Sequence, residues 1–140
     1  MYYVNRSQID ERLAGVPELA DCLRQLAASW SKDALQGLAQ ERALHLAIET
    51  VTDVGSCLID GFMMRDASSY EDIIEVISGE RVFPEELEAP LRELVRLRKP
   101  LVQEYYVWQR SELHPLTPRL PEVLTVFSQS VRQYLNEQQL

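Results

Sequence analysis

Hydrophobic positions recur at helical intervals along almost the whole chain. Ile9, Leu13, Val16, Ala20, Leu23, Ala27 and Trp30 alternate steps of four and three, which lays apolar side chains along one seam of an α-helix. Asn5 predicts the start of this helix, with Gln8 three residues on as a capping-box partner. Pro17 interrupts the seam, so a kink or a fresh start is expected there, eased by Gly15. The longest pattern runs from about 33 to 63, with Leu44, Ile48, Val51, Gly55, Leu58 and Phe62 as its main stripe. Ala47, Val54 and Ile59 widen that stripe, as expected of a central helix buried on more than one side. Gly55 within it predicts a close helix–helix approach. Ser69 as N-cap and Asp72 at the third position predict a short helix carrying Ile73, Ile74 and Ile77.

A further helix is expected from about Pro84 to Gln109, with Pro90 marking its true start and a bend at Pro100. After a proline-rich connector at 114–122, Val123, Phe127, Val131 and Tyr134 predict the last helix. Alternating β-branched runs and hairpin turns are absent, and Leu, Ala, Glu, Arg and Gln dominate. The expected fold is an all-α antiparallel bundle of four to five helices, formed by a single domain over residues 1–140.

Charge narrows the functional classes. The net charge of −8 disfavours a broad polyanion-binding face, because phosphate neutralisation supplies most non-specific nucleic-acid affinity. A small basic pocket remains compatible with it. Cys22 and Cys57 lack metal-ligand spacing and are expected to be reduced core residues. No apolar run approaches the length of a membrane span and no secretory signal is recognised, so the expected setting is the cytoplasm, away from membranes.

The sharpest chemical clue is the stripe Leu87, Leu91, Leu94, Arg98, Leu101, Tyr105. An arginine occupies a slot that the periodicity assigns to the buried face, and a buried guanidinium needs partners. It either pairs with a carboxylate from the long second helix or faces a phosphate or a partner. On an ideal helix Arg98 and Tyr105 share a face, whereas Gln103 lies about 140° from Arg98 and about 160° from Tyr105. A bend at Pro100, or a two-fold axis pairing two such helices, is needed to bring all three together. Arg92, Arg96, Arg98 and Lys99 follow Glu85, Glu86 and Glu88 along this helix. That order suits the helix dipole and makes the chain's one basic cluster.

The stretch RKPLVQEYY, from Arg98 to Tyr106, carries the pattern Arg, four residues, Gln, one residue, Tyr. It resembles the signature of the HepT-like group of HEPN domains. The order of elements resembles that family too: the long ERALHLAIETVTDVGSCLID helix, the short YEDIIEVI helix, then the arginine helix. The resemblance implies a homodimer whose shared cleft is lined by the motif from both chains, and a ribonuclease toxin as the better-known activity. It implies that Arg98 holds the scissile phosphate, that position 103 is a histidine serving as general acid/base, and that Tyr105 lines the cleft. In paired toxin–antitoxin systems of this family, a small nucleotidyltransferase antitoxin attaches AMP to that tyrosine. This chain departs from the pattern at Gln103, whose amide bonds a hydroxyl or phosphate but does not titrate. Losing acid/base help lowers rates by about 10²–10⁴-fold. Lys99 stands where a polar residue such as asparagine is common.

Two histidines remain as substitutes. His45 has Glu49 four residues on to orient it, and both count as possible supports of the cleft, although a packed structural histidine is the simpler reading. His114 is expected to be a solvated loop residue. Glu49, Asp53 and Asp60 lack a metal-binding loop or His partner and are expected to pair with arginines, Arg98 among them. No metal or cofactor is expected. Three readings stand. The first is a cleavage-impaired HepT-like protein that binds RNA or a nucleotide, or is regulated by a nucleotidyltransferase. The second is an active metal-independent endoribonuclease, and the third a dimeric structural or partner-binding bundle. A solvated Arg98 with Tyr105 packed in the core would favour the third.

Overall fold

Side-chain caps start the helices where the sequence places them. The computed structural model describes residues 3–138. Asn5 Oδ1 accepts the Gln8 N–H at 3.1 Å and opens α1, Arg6–Leu13. Helix α2, Val16–Ser29, is a fresh start rather than a kink, with Pro17 in its first turn, where a missing N–H costs nothing. Asp33 Oδ1 accepts the Gln36 N–H at 2.8 Å and opens α3, Ala34–Gly61. Ser69 Oγ accepts the Asp72 N–H at 3.0 Å and opens α4, Tyr70–Gly79. A 3₁₀ turn at Glu85–Leu87 feeds α5, Glu88–Arg96, and α6 spans Leu120–Glu137. No strand occurs among the described residues. The fold is an all-α bundle.

Helix α3 is its axis. Leu44, Ala47, Ile48, Val51, Val54 and Leu58 are fully buried, and α1, α2, α4 and α5 all pack on this helix. Each such leucine or isoleucine contributes about 1.5–3 kcal/mol by leaving water. Helix α6 packs along α2 through Leu124, Phe127, Val131 and Leu135, with Val123 and Tyr134 only flanking that seam. At Gly55 a Cβ would lie 2.4 Å from Ile73 Cγ2, so the missing side chain is what lets α4 approach α3.

Three expectations are corrected. The arginine helix does not run to Gln109: it ends at Arg96 and continues only as a π turn, Lys99–Gln103, and a 3₁₀ turn, Tyr105–Val107. Pro100 has no N–H to give Arg96, and the Glu104 N–H reaches back five residues to the Lys99 carbonyl at 3.0 Å. Both cysteines are free, but Cys22 is exposed and not a core residue, while Cys57 is partly buried and packs against the core's edge. The α2 seam passes through Leu23 and Leu26, which turns Cys22 onto a groove of 620 Å³ between α2 and α3. His114, finally, is not a solvated loop residue. Its ring stacks on Trp108 at 5.9 Å, and its Nδ1 accepts the Leu116 N–H at 3.0 Å.

Candidate functional site

Arg98 stands where α5 gives way to the π turn, and its side chain is 29% exposed. The guanidinium carbon lies 4.4 Å from the centroid of the Tyr70 ring, at the first position of α4, a cation–π contact. Its Nε is buried and has no hydrogen-bond partner. The nearest carboxylate oxygen, Glu49 Oε1 on α3, is 4.0 Å away, beyond hydrogen-bond reach. The expected pairing with a carboxylate of the long helix is therefore present only as a long ion pair. A cation held against an aromatic face, with part of its side chain exposed and no close carboxylate, can donate to an anionic oxygen.

The basic cluster around it is less free than its composition suggests. Arg92 is bound by Glu88 and Glu71, and Arg96 by Glu71 at 2.6 Å. These bonds hold the Glu71 and Glu88 carboxyls below their ordinary range, through Arg96 for Glu71 and through Ser78 and then Arg92 for Glu88. Lys99 is exposed and forms no ion pair among the described residues. Arg98 and Lys99 are thus the cations left for a ligand.

Glu49 is shared. On its other side His45 Nε2 approaches the same Oε1 at 3.4 Å, and Arg42 Nη1 lies 3.4 Å from His45 Nδ1. Arg42, His45 and Glu49 occupy successive turns of α3 and form a polar strip ending at Arg98. The strip meets the apolar α2–α3 groove at Arg42. Of the other acidic residues on α3, Asp53 turns to Arg12 at 3.8 Å.

The motif residues beyond Pro100 separate from Arg98 in register. Leu101 is buried, Gln103 is exposed, and Tyr105 is 54% exposed. The face shared by Arg98 and Tyr105 on an ideal helix is lost in the widened turn. Tyr105 instead sets its ring edge-on to Tyr106, with centroids 5.7 Å apart. Sequence reasoning missed Tyr70 as the platform for Arg98, because nothing in the α4 pattern marks which residue it will meet across the bundle. It also missed Gln40, which anchors the connector behind the motif. Fully buried, Gln40 accepts from the His114 N–H at 2.8 Å and the Thr117 hydroxyl at 2.7 Å, and donates to the Glu112 carbonyl at 3.0 Å.

A family model described as ribonuclease HepT-like matches residues 13–115, from α1 through the motif segment. The chain belongs to the ribonuclease HepT-like family. The Bacillus subtilis (strain 168) protein named "Putative RNase YutE" is 37% identical over 135 residues, covering 96% of this HepT-like chain and 92% of its own length. A solved structure of YutE from Bacillus subtilis, described as a cytosolic protein of unknown function, is similar over 99% of this chain and 95% of that one. The TM-score is 0.87 and the identity 34%. HepT-like membership makes the chain ribonuclease-related and puts Arg98 inside the matched stretch. Among the described residues no helix is long and apolar enough to cross a membrane.

Proposed function

We propose that this HepT-like protein binds RNA through Arg98 and that its cleavage step is impaired by Gln103. One observation carries the reading: a part-buried guanidinium lies on Tyr70 with its Nε unpaired. A phosphodiester oxygen meets the exposed part of that guanidinium, and exposed Lys99 adds a second cation. Gln103 can hold a ribose hydroxyl or a phosphate oxygen but moves no proton. The single domain acts as a homodimer, with two copies of the motif lining one cleft. Exposed Tyr105 is accessible to AMP transfer from a small nucleotidyltransferase partner, as in the paired toxin–antitoxin systems of the family. No cofactor enters this reading.

The scaffold reading called for a solvated Arg98 and a core-packed Tyr105. The two side chains lie the other way round, Arg98 part-buried and Tyr105 exposed, which favours the RNA-binding reading.

RNA integrity in bacterial cells after induced expression tests it, with the native chain compared against Gln103→His and Arg98→Ala. The expected result is little or no cleavage by the native chain and clear cleavage by Gln103→His, abolished when Arg98→Ala is added. Strong, Arg98-dependent cleavage by the native chain would make it an active endoribonuclease instead. Absence of cleavage by Gln103→His, together with no Arg98-dependent RNA binding by purified protein, would leave the structural bundle.

A further inference from the structure

The strip Arg42–His45–Glu49 is not part of the motif, yet it ends on the motif arginine. We infer that His45 is the proton-accepting residue of the Arg98 site, with Glu49 as its positioning residue. The inference rests on the reading of Arg98 as the phosphate-binding group.

A guanidinium only donates, so in the 3.4 Å contact between Arg42 Nη1 and His45 Nδ1 the imidazole nitrogen is the acceptor. The proton of the neutral ring then sits on Nε2, which faces Glu49 Oε1 at 3.4 Å. A carboxylate that fixes one ring nitrogen and leaves the other as the base is the arrangement by which histidine is made a general base. At 3.4 Å the Arg42 contact is weak, and a ribose hydroxyl can take its place on Nδ1. His45 is 31% exposed, so the ring is reachable. Glu49 Oε1 is also the carboxylate oxygen nearest to Arg98, so the Nε2 edge of His45 and the phosphate-binding group share one atom. The charged groups in contact with this pair are Arg42 on α3 and Arg98 after α5, and Arg98 in turn lies over Tyr70 of α4.

In the step this geometry supports, the ribose 2′ oxygen attacks the neighbouring phosphorus, and its proton passes to His45 Nδ1. The new P–O2′ bond forms as the P–O5′ bond breaks. The departing 5′ oxygen takes a proton from water, and the imidazolium returns its proton to the hydroxide left behind. The products are a 2′,3′-cyclic phosphate and a 5′-hydroxyl end. Without a histidine at 103 to assist the leaving group, turnover is slow, in keeping with impaired cleavage.

The test is a cleavage assay on an unstructured oligoribonucleotide with purified full-length protein, followed across pH 5–9, with RNA binding measured in parallel. The native chain should cut slowly, at a rate that rises with pH, as a step assisted by a general base requires. His45→Gln should lower the rate by about 10²-fold, the scale of general-base help, and flatten the profile, with RNA affinity within about twofold, well inside the tenfold of 1.4 kcal/mol. Glu49→Gln, which keeps the imidazole, should cut at a reduced rate with a displaced profile, and thermal unfolding shows whether either variant has merely lost its fold. Arg98-dependent cleavage that His45→Gln leaves unchanged would overturn the inference and spare the phosphate-binding reading. So would a native chain that binds RNA through Arg98 but never cuts. Loss of both binding and cleavage from the native chain would overturn the two together.

Discussion

Arg98 lies over the ring of Tyr70, with the guanidinium carbon 4.4 Å from the centre of the phenol ring. The contact joins the first residue of α4 to the residue just before the π turn, and it holds the cation without a closely bonded carboxylate that would compete with a ligand. Tyr70 is accordingly predicted to act by its ring and not its hydroxyl. Tyr70→Phe should bind single-stranded RNA as the native chain does. Tyr70→Ala should weaken binding by about two- to fivefold, the value of an exposed cation–π contact. Equal losses in both variants would assign the effect to the hydroxyl.

With Arg92 and Arg96 already bound by Glu71 and Glu88, few cations in each copy of the site remain to displace counterions. RNA affinity is therefore predicted to depend only weakly on salt. For the two phosphate contacts of Arg98 and Lys99, the log–log slope should be about −1.4 for each copy of the motif that the RNA engages, at about −0.7 per contact for a single strand. Arg98→Ala should bring it to about −0.7. A titration of binding against potassium chloride measures it, and a slope several times steeper would point to a basic surface elsewhere.

Gly55 sets how near α4 comes to α3. A methyl group there would lie 2.4 Å from Ile73 Cγ2, so Gly55→Ala should destabilise the fold by about 1–3 kcal/mol despite its gain in helix propensity. Adding Ile73→Ala should cost less than the two single losses summed, because the second change removes the atom in the way. Urea unfolding of the four proteins gives the coupling directly.

Much of this architecture could be seen in the chain, because the signals involved are local. Asn5, Asp33 and Ser69 cap their helices within three residues, Gly15 and Pro17 divide the first seam, and the stripe of α3 marks the central helix. What escaped were contacts between distant segments and one backbone irregularity. Periodicity carried the arginine helix on to Gln109 with only a bend at Pro100, whereas the proline changes which carbonyl each later N–H can reach, and the widened turn moves Tyr105 off the face of Arg98. Cys22 looked apolar enough for the core, yet Leu23 and Leu26 define the seam and leave it outside. His45, Glu49 and Arg98 could be named from sequence, but their sharing of one carboxylate oxygen could not.

Gln40 is predicted to be the most sensitive polar residue outside the site. Its side chain satisfies the His114 N–H, the Thr117 hydroxyl and the Glu112 carbonyl, three groups of the connector that carries the chain from the motif segment to α6. Gln40→Leu preserves volume and leaves all three unpaired, at about 1–3 kcal/mol for each that water cannot reach. Unfolding should shift accordingly, and amide exchange at 112–117 should accelerate more than exchange in α3. A melting temperature equal to that of the native chain would show that the connector is held by other contacts.

His114 gives the fold a pH dependence of predictable sign. Burial pushes its imidazole below the ordinary value of 6.5, outweighing the opposing pull of Glu93. The native ring is held neutral, and its Nδ1 needs that state to accept the Leu116 N–H at 3.0 Å. The unfolded chain takes up its proton near 6.5, before the native chain does, so acidification favours the unfolded state. This contribution is complete above about pH 6.5 and is lost as the pH falls through the lowered native value. The carboxylates bonded to Arg92 and Arg96 titrate lower and add their own loss only in stronger acid. Thermal melts from pH 7.5 to 5 should therefore fall for the native chain. They should fall less for His114→Asn, whose amide oxygen can accept the same N–H without titrating. Parallel curves for the two proteins would mean that the Trp108 stack carries the ring in either charge state and that the hydrogen bond to Leu116 contributes little.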